Sequence, residues 1–316
     1  MPLAHITLLV LSTGLLGFSG VVVGQEAQQD AETAPSPHAT SVGDTMEQVV
    51  PNPHLGIDAA VRAHMAERDV VGLAVGVVRS GAITYLKGYG YEDREAGVPL
   101  LAERSMLRWA SIAKPITATI AARLVRAGQV DLSTAIDTYW KKYRSPRHYL
   151  VKCRKRAEEI KHGGKMLPCE KGYASAKLPR AERPVTLKGL LSHLSGIMGY
   201  GNGRRGATPS RKHLNNPRRN KGLAWGLHKV LRRPFATRPG TAYGYSTFGF
   251  NLAAVTLEQA TGKDFPALID EHVAGPADMR TLQPDYAWVD IPHRAAGYRK
   301  PSKKKDLVRT RTHDVS

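Results

Sequence analysis

Apolar positions recur along the chain with two different periods. Ile57, Ala60, Val61 and Met65 fall on one side of a helical wheel, so Ile57–Arg68 is predicted as an amphipathic helix. Gly72–Val78 (GLAVGVV) and Ala82–Tyr89 (AITYLKGY) read as two strands, with Arg79, Ser80 and Gly81 supplying a tight turn. Together they predict a β-hairpin early in the fold. The strongest helical pattern is Ser111–Ala127, where Ile112, Ile116, Ile120, Leu124 and Val125 repeat at steps of about three and four residues. Gly128 marks its stop. Thr186–Leu191 restarts a helical pattern that runs into His193, and Tyr245–Thr261 forms another that ends at Gly262.

Pro115 fixes where the Ser111 helix begins. The first turn of a helix holds backbone N–H groups without an intrahelical acceptor, so a proline there sacrifices little. The helix is therefore expected to start near Ser111, which sets its hydroxyl at the positive end of the helix dipole.

Composition sets outer bounds. A chain of 316 residues with 42% hydrophobic content can bury a substantial core in one large domain or two modest ones. The formal net charge of +19 and the pI near 10.0 favour anionic surfaces without choosing among them. Roughly half of the Lys and Arg fall between Lys141 and Arg233, with few acids, so the positive field is concentrated there. Within that span, 141–184 has little apolar periodicity and is expected to be an inserted, solvated loop. Nucleic acid is not expected as a partner, because aromatics are sparse in the basic stretch and no RRM, helix-turn-helix or zinc-finger pattern is present.

The N-terminal run Ile6–Gly24 is uncharged and rich in Leu, Val and Gly, although only the amino terminus and His5 stand in front of it. It is expected to export the chain to the periplasm or the exterior, either cleaved after Gly24 or retained as a membrane anchor. A buried core segment is the plain alternative. Residues 25–53 read as a linker, and 54–316 as the main domain carrying the 141–184 insertion. Cys153 and Cys169 form one disulfide or stay as two free thiols. No Cys-x-x-Cys pair and no His-Glu-x-x-His is present, so neither a metal nor another cofactor is expected.

Ser111 and Lys114 stand three residues apart and share one helix face. A serine hydroxyl needs a base to become a nucleophile, and a lysine amine serves as one when burial or a neighbouring cation lowers its pKa. Taken alone, the pair reads first as Ser111 capping a helix and Lys114 as a solvated first-turn side chain.

Further stretches extend the pattern: LLSHLSGI at Leu190–Ile197, PGTAYGYSTFGF at Pro239–Phe250, then NLAAVTLEQATGKDF and GPADMRTL. In this order, with WASIAK at Trp109–Lys114, they resemble the serine β-lactamase-like family of class C β-lactamases, D,D-peptidases (penicillin-binding proteins) and esterases, above all its mitochondrial β-lactamase-like members and their bacterial relatives. The resemblance runs from about Ile57 onward. It implies an α/β fold: an antiparallel sheet flanked by helices, a mostly helical subdomain between Ser111 and Tyr245, and a cleft between the two. It implies a serine hydrolase that acts on amides or esters (β-lactams, D-alanyl peptides or small esters) through an acyl-enzyme on Ser111, with Lys114 as base partner. Tyr245 matches the tyrosine of the second family element and would shuttle the proton, which requires a cation to stabilise its phenolate. Thr247 takes the place of that element's asparagine as a substrate-binding residue. Its hydroxyl offers fewer hydrogen-bonding groups than an amide, which counts against β-lactam hydrolysis more than against acyl transfer. His193 is expected to be structural, at a helix end closed by Gly196.

One family element has no match. No Lys-Thr-Gly or His-x-Gly triplet follows Tyr245, and His162-Gly163-Gly164 precedes it and reads as a loop. The sequence is on that ground expected to be C-terminally incomplete, or a truncated product of impaired activity. A non-catalytic binding or scaffold protein on the same fold is the alternative.

Overall fold

The computed structural model describes residues 7–11, 55–153, 159–170, 172–199, 222–286, 288–300 and 306–310. The linker 25–53, most of the apolar N-terminal run and the lysines at 303–305 lie outside these residues. The chain divides into two compact units, one of Met1–Ser105 with Tyr298–Val308 and the other of Met106–Gly297 with Arg309–Ser316.

The first unit is a sheet and a helix. Strands β1 (Thr7–Leu11), β2 (Gly72–Arg79), β3 (Ala82–Asp93) and β4 (Val98–Pro99) follow one another in that order across the sheet. β2 and β3 form the predicted hairpin, closed by Arg79 opposite Ala82. Ser80 and Gly81 turn it with φ of 49° and 80°, and two successive positive φ values match the right-handed twist of the strands. β1 runs parallel to β2, so the sheet is not purely antiparallel. Helix α1 (Leu55–Arg68) lays Val61 and Met65 against Leu73, Val75 and Tyr89 of the hairpin. The apolar stripe seen in the sequence is the face that makes this contact.

The second unit is built around helices. They are α2 (Ala113–Arg126), α3 (Ile136–Tyr139), α4 (Leu187–Leu191), α5 (Leu223–Leu231), α6 (Thr247–Thr261) and α7 (Phe265–Ile269). α6 lies at the centre, with Phe248–Leu257 all buried save Asn251, which is why its sequence is apolar nearly all round. Ile120 and Leu124 of α2, Leu187 and Leu190 of α4, Leu227 of α5 and Leu268 of α7 join it in one core. α2 and α6 end where expected, each followed by a glycine at positive φ, 69° at Gly128 and 73° at Gly262.

The solvated loop expected over 141–184 is instead folded. β5 (His148–Lys152) pairs antiparallel with β8 (Tyr173–Lys177), and β6 (Glu159–His162) with β7 (Lys165–Pro168). Gly163-Gly164, the pair that follows His162, is the two-residue turn of the second hairpin, with φ of 55° and 77°. Cys153 and Cys169 are joined in a disulfide with Cα atoms 6.3 Å apart. With Ala174, Ile160 and Leu167 they form a small separate core. The strands lack apolar contrast because β8 buries only Ala174 and Ala176, with Cys153 and Cys169 beside them, while the large buried side chains of the segment, Tyr143 and Leu178, flank the strands.

Candidate active site

The candidate residues all belong to the second unit. Ser111 lies in a single tight turn, Ala110–Ile112, and α2 proper begins at Ala113, two residues later than the sequence suggested. Ala110 has φ of 45°, a left-handed conformation that costs an alanine about 1 kcal/mol or more and interrupts the helix in front of Ser111. The Ser111 side chain does not cap α2. The residue is exposed, and without a cap hydrogen bond the plain capping reading does not hold.

Lys114, one turn on, donates from Nζ to Ser111 Oγ at 3.0 Å. From 134 residues along the chain, the Tyr245 hydroxyl donates to the same oxygen at 2.8 Å. Lys114 Nζ also stands 4.8 Å from the centre of the Tyr245 ring and 5.8 Å from that of Phe250. One serine hydroxyl, one ammonium and one phenol thus meet at a point. Burial pushes the Tyr245 phenol up, but its hydrogen bonding with Lys114 and Ser111, the Lys114 charge and hydrogen bonding with Thr247 outweigh it, and the net shift is downward from 10.0. Thr247, half-buried at the first turn of α6, therefore bears on the phenol in this structure.

Tyr245 is held by its neighbour. Ser246, the residue before α6, is 1% exposed. Its hydroxyl accepts from the Gly249 N–H at 2.9 Å and donates to the Met198 carbonyl at 2.9 Å. Its own N–H donates to His193 Nδ1 at 3.1 Å. A Cβ on Gly199 would stand 2.4 Å from the Tyr245 carbonyl oxygen, so glycine lets that segment pass behind the tyrosine.

His193 is more than a helix end. It has φ of 60° just past α4, and its carbonyl accepts from the Gly244 N–H at 2.9 Å. Its ring centre lies 4.6 Å from that of Tyr245 and 5.1 Å from that of Phe250. Because Nδ1 accepts a hydrogen bond, the imidazole is neutral, with its proton on Nε2. Burial lowers its pKa from 6.5, and the Lys114 charge lowers it further. The resemblance matches Ser246 only as the middle residue of the second family element, without a role, and the sequence reads His193 as structural at a helix end. A serine directly ahead of an apolar helical pattern was the available signal for the cap.

Comparison with known proteins bears on the family and the fold. The profile of the beta-lactamase family matches residues 57–315. The esterase EstB of Burkholderia gladioli is 28% identical over 226 residues, 71% of this chain and 50% of EstB. The human mitochondrial serine beta-lactamase-like protein LACTB is 26% identical over 264 residues, 76% of this chain and 48% of LACTB. The chain thus spans about half the length of these relatives. Among solved structures, the D-amino acid amidase of Ochrobactrum anthropi SV3 in complex with L-phenylalanine amide superposes with a TM-score of 0.57 at 20% identity. That superposition covers 82% of this chain and 61% of the amidase, and so supports the fold. With the family profile running from the first helix to the last described strand, and the Ser111 turn, the Tyr245 segment and α6 inside it, the chain belongs to the beta-lactamase family.

Proposed function

We propose that this protein is a serine hydrolase that cleaves carboxylic esters, and amides as a second class, through an acyl-enzyme on Ser111. The observation that carries this is the convergence of Lys114 Nζ and Tyr245 Oη on Ser111 Oγ at 3.0 and 2.8 Å. A depressed phenol pKa supports Tyr245 as the base, with Lys114 as the cation that stabilises its phenolate. Once the phenol has lost its proton, the Tyr245 hydrogen bond reverses and Ser111 donates. Ser111 Oγ then attacks the carbonyl carbon while its proton passes to Tyr245 Oη. The oxyanion that forms meets the Ser111 backbone N–H, in a turn ahead of α2 where N–H groups lack intrahelical acceptors. Collapse expels the alcohol or amine, which takes the proton from Tyr245. Water gives a proton to the same phenolate and attacks the acyl carbon, and collapse breaks the ester bond to Ser111 Oγ, which takes that proton back from Tyr245 as the acid leaves. The 28% identity to EstB, an esterase, favours an ester substrate. The Cys153–Cys169 disulfide supports export, since such bonds persist in oxidising compartments.

The test is labelling with a fluorophosphonate probe and turnover of p-nitrophenyl acetate. Ser111 becomes labelled and Ser111→Ala abolishes both labelling and turnover. Labelling that persists in Ser111→Ala rejects the assignment.

A further inference from the structure

We infer that the second unit carries a phosphate-binding cleft, separate from the Ser111 site, formed by Arg147, Arg232 and Arg233 with His148 and Ser175. The cleft has a volume of about 110 Å³ and is completed by Pro146 and Pro234. None of the three arginines makes an ion pair with a carboxylate among the described residues. Other surface arginines do pair: Arg238 with Glu182, and Arg280 with Asp278. No carboxylate lines the cleft. Three arginines lining one cleft without a carboxylate among its lining residues raise the local potential, and an anion relieves it.

The frame that holds them is fixed by the backbone. The Phe235 N–H donates to the His148 carbonyl at 2.9 Å, and the Leu150 N–H donates to the Phe235 carbonyl at 2.9 Å. The chain after α5 is thereby strapped alongside β5, and Phe235 is 1% exposed, anchored in the core. On the other side, the Leu178 N–H donates to the Arg147 carbonyl at 2.8 Å, tying the start of β5 to the end of β8. The register sets His148 opposite Lys177 and Leu150 opposite Ser175. His148, Ser175 and Lys177 therefore share one sheet face, while Ala174 and Ala176 are buried on the other. Lys177 adds a further positive charge to the face that bears the cleft.

Ligand class follows from donor chemistry and size. A guanidinium presents a planar fork of N–H groups that matches two oxygens of a tetrahedral phosphate, and Ser175 adds a neutral hydroxyl donor. The volume suits one phosphate group rather than a whole nucleotide. That group comes either from a free phosphate compound or from the headgroup of an anionic lipid, and the experiment separates the two.

The full chain is titrated calorimetrically with inorganic phosphate at ionic strength held constant by chloride. In parallel it is sedimented with vesicles of phosphatidylglycerol and phosphatidylcholine in equal parts, or of phosphatidylcholine alone. Arg232→Gln/Arg233→Gln is compared with Arg280→Gln/Lys263→Gln, which removes the same charge elsewhere. Ser111 labelling in each variant reports that the fold is intact. Saturable phosphate binding, weakened at least about tenfold in the first variant and unchanged in the second, supports the cleft and a free phosphate ligand. Retention on phosphatidylglycerol vesicles with the same variant pattern, and no saturable phosphate binding, supports it with the headgroup as ligand. Binding in neither arm, or equal weakening in both variants, overturns it and leaves only a diffuse positive field.

Discussion

His193 Nδ1 accepts the backbone N–H of Ser246 at 3.1 Å, and its ring lies 4.6 Å from that of Tyr245. One imidazole thus fixes the backbone that carries the phenol and packs on the phenol itself. Loss of His193 is expected to act through Tyr245. His193→Ala removes both contacts and is expected to lower stability by about 1–2 kcal/mol, the range for a lost hydrogen bond and an orphaned donor. His193→Asn keeps an acceptor close to the Nδ1 position and tolerates a φ of 60°. It should recover most of the stability, while kcat for an ester stays reduced because the ring contact is gone. Thermal unfolding and kcat measured on the same samples check this, and equal kcat in His193→Asn and wild type would refute the ring's part.

His193 also predicts acid sensitivity. Its folded pKa lies below its ordinary 6.5, so the folded state disfavours its proton. The stability it contributes is complete above 6.5 and is lost as pH falls from there through the folded value. Thermal unfolding across this interval should show a wild-type loss that His193→Asn lacks.

Tyr245→Phe deletes the phenol oxygen that reaches Ser111 and leaves the ring in place. Acylation by p-nitrophenyl acetate is expected to fall by about 10²- to 10⁴-fold, the usual share of a general base. Unfolding temperature should hardly change, since the hydroxyl is in the exposed part of the site.

The pH–rate profile reports the same group from another side. With Tyr245 as the proposed base, activity should rise with pH through a pKa below the ordinary 10.0 of tyrosine. Burial alone pushes that value up, and Lys114 is the main force in the other direction. Lys114→Met should therefore move the rising limb to higher pH as well as lower the plateau. An unmoved limb would assign it to another group.

Reduction of the Cys153–Cys169 disulfide, or Cys153→Ala/Cys169→Ala, removes a crosslink over a sequence separation of 16. The β5–β8 region is expected to lose about 3 kcal/mol of local stability, as for a loop of that length. Limited proteolysis should then cut within 141–184 while Ser111 labelling persists, because the bonds between Ser111, Lys114 and Tyr245 do not involve this segment.

Much of this protein was written into the sequence by itself. Helices α1, α2 and α6 and the β2–β3 hairpin followed from apolar period, and the ends of α2 and α6 from Gly128 and Gly262, because these signals are local and each is set by a few adjacent residues. Ser111 and Lys114 were legible for the same reason, three positions apart on one turn. The resemblance of ordered stretches added Tyr245. Tertiary structure alone decided the rest. The approach of Tyr245 to Ser111 depends on α2 and α6 meeting in one core, and the role of His193 depends on a segment folding back beneath Ser246. The β5–β8 ribbon was hidden because Ala174 and Ala176 supply its buried face, and small side chains carry little of the hydrophobic contrast that marks a strand. The arginine cleft was equally invisible, since Arg147 and Arg232–Arg233 come together only when the chain after α5 hydrogen-bonds to β5.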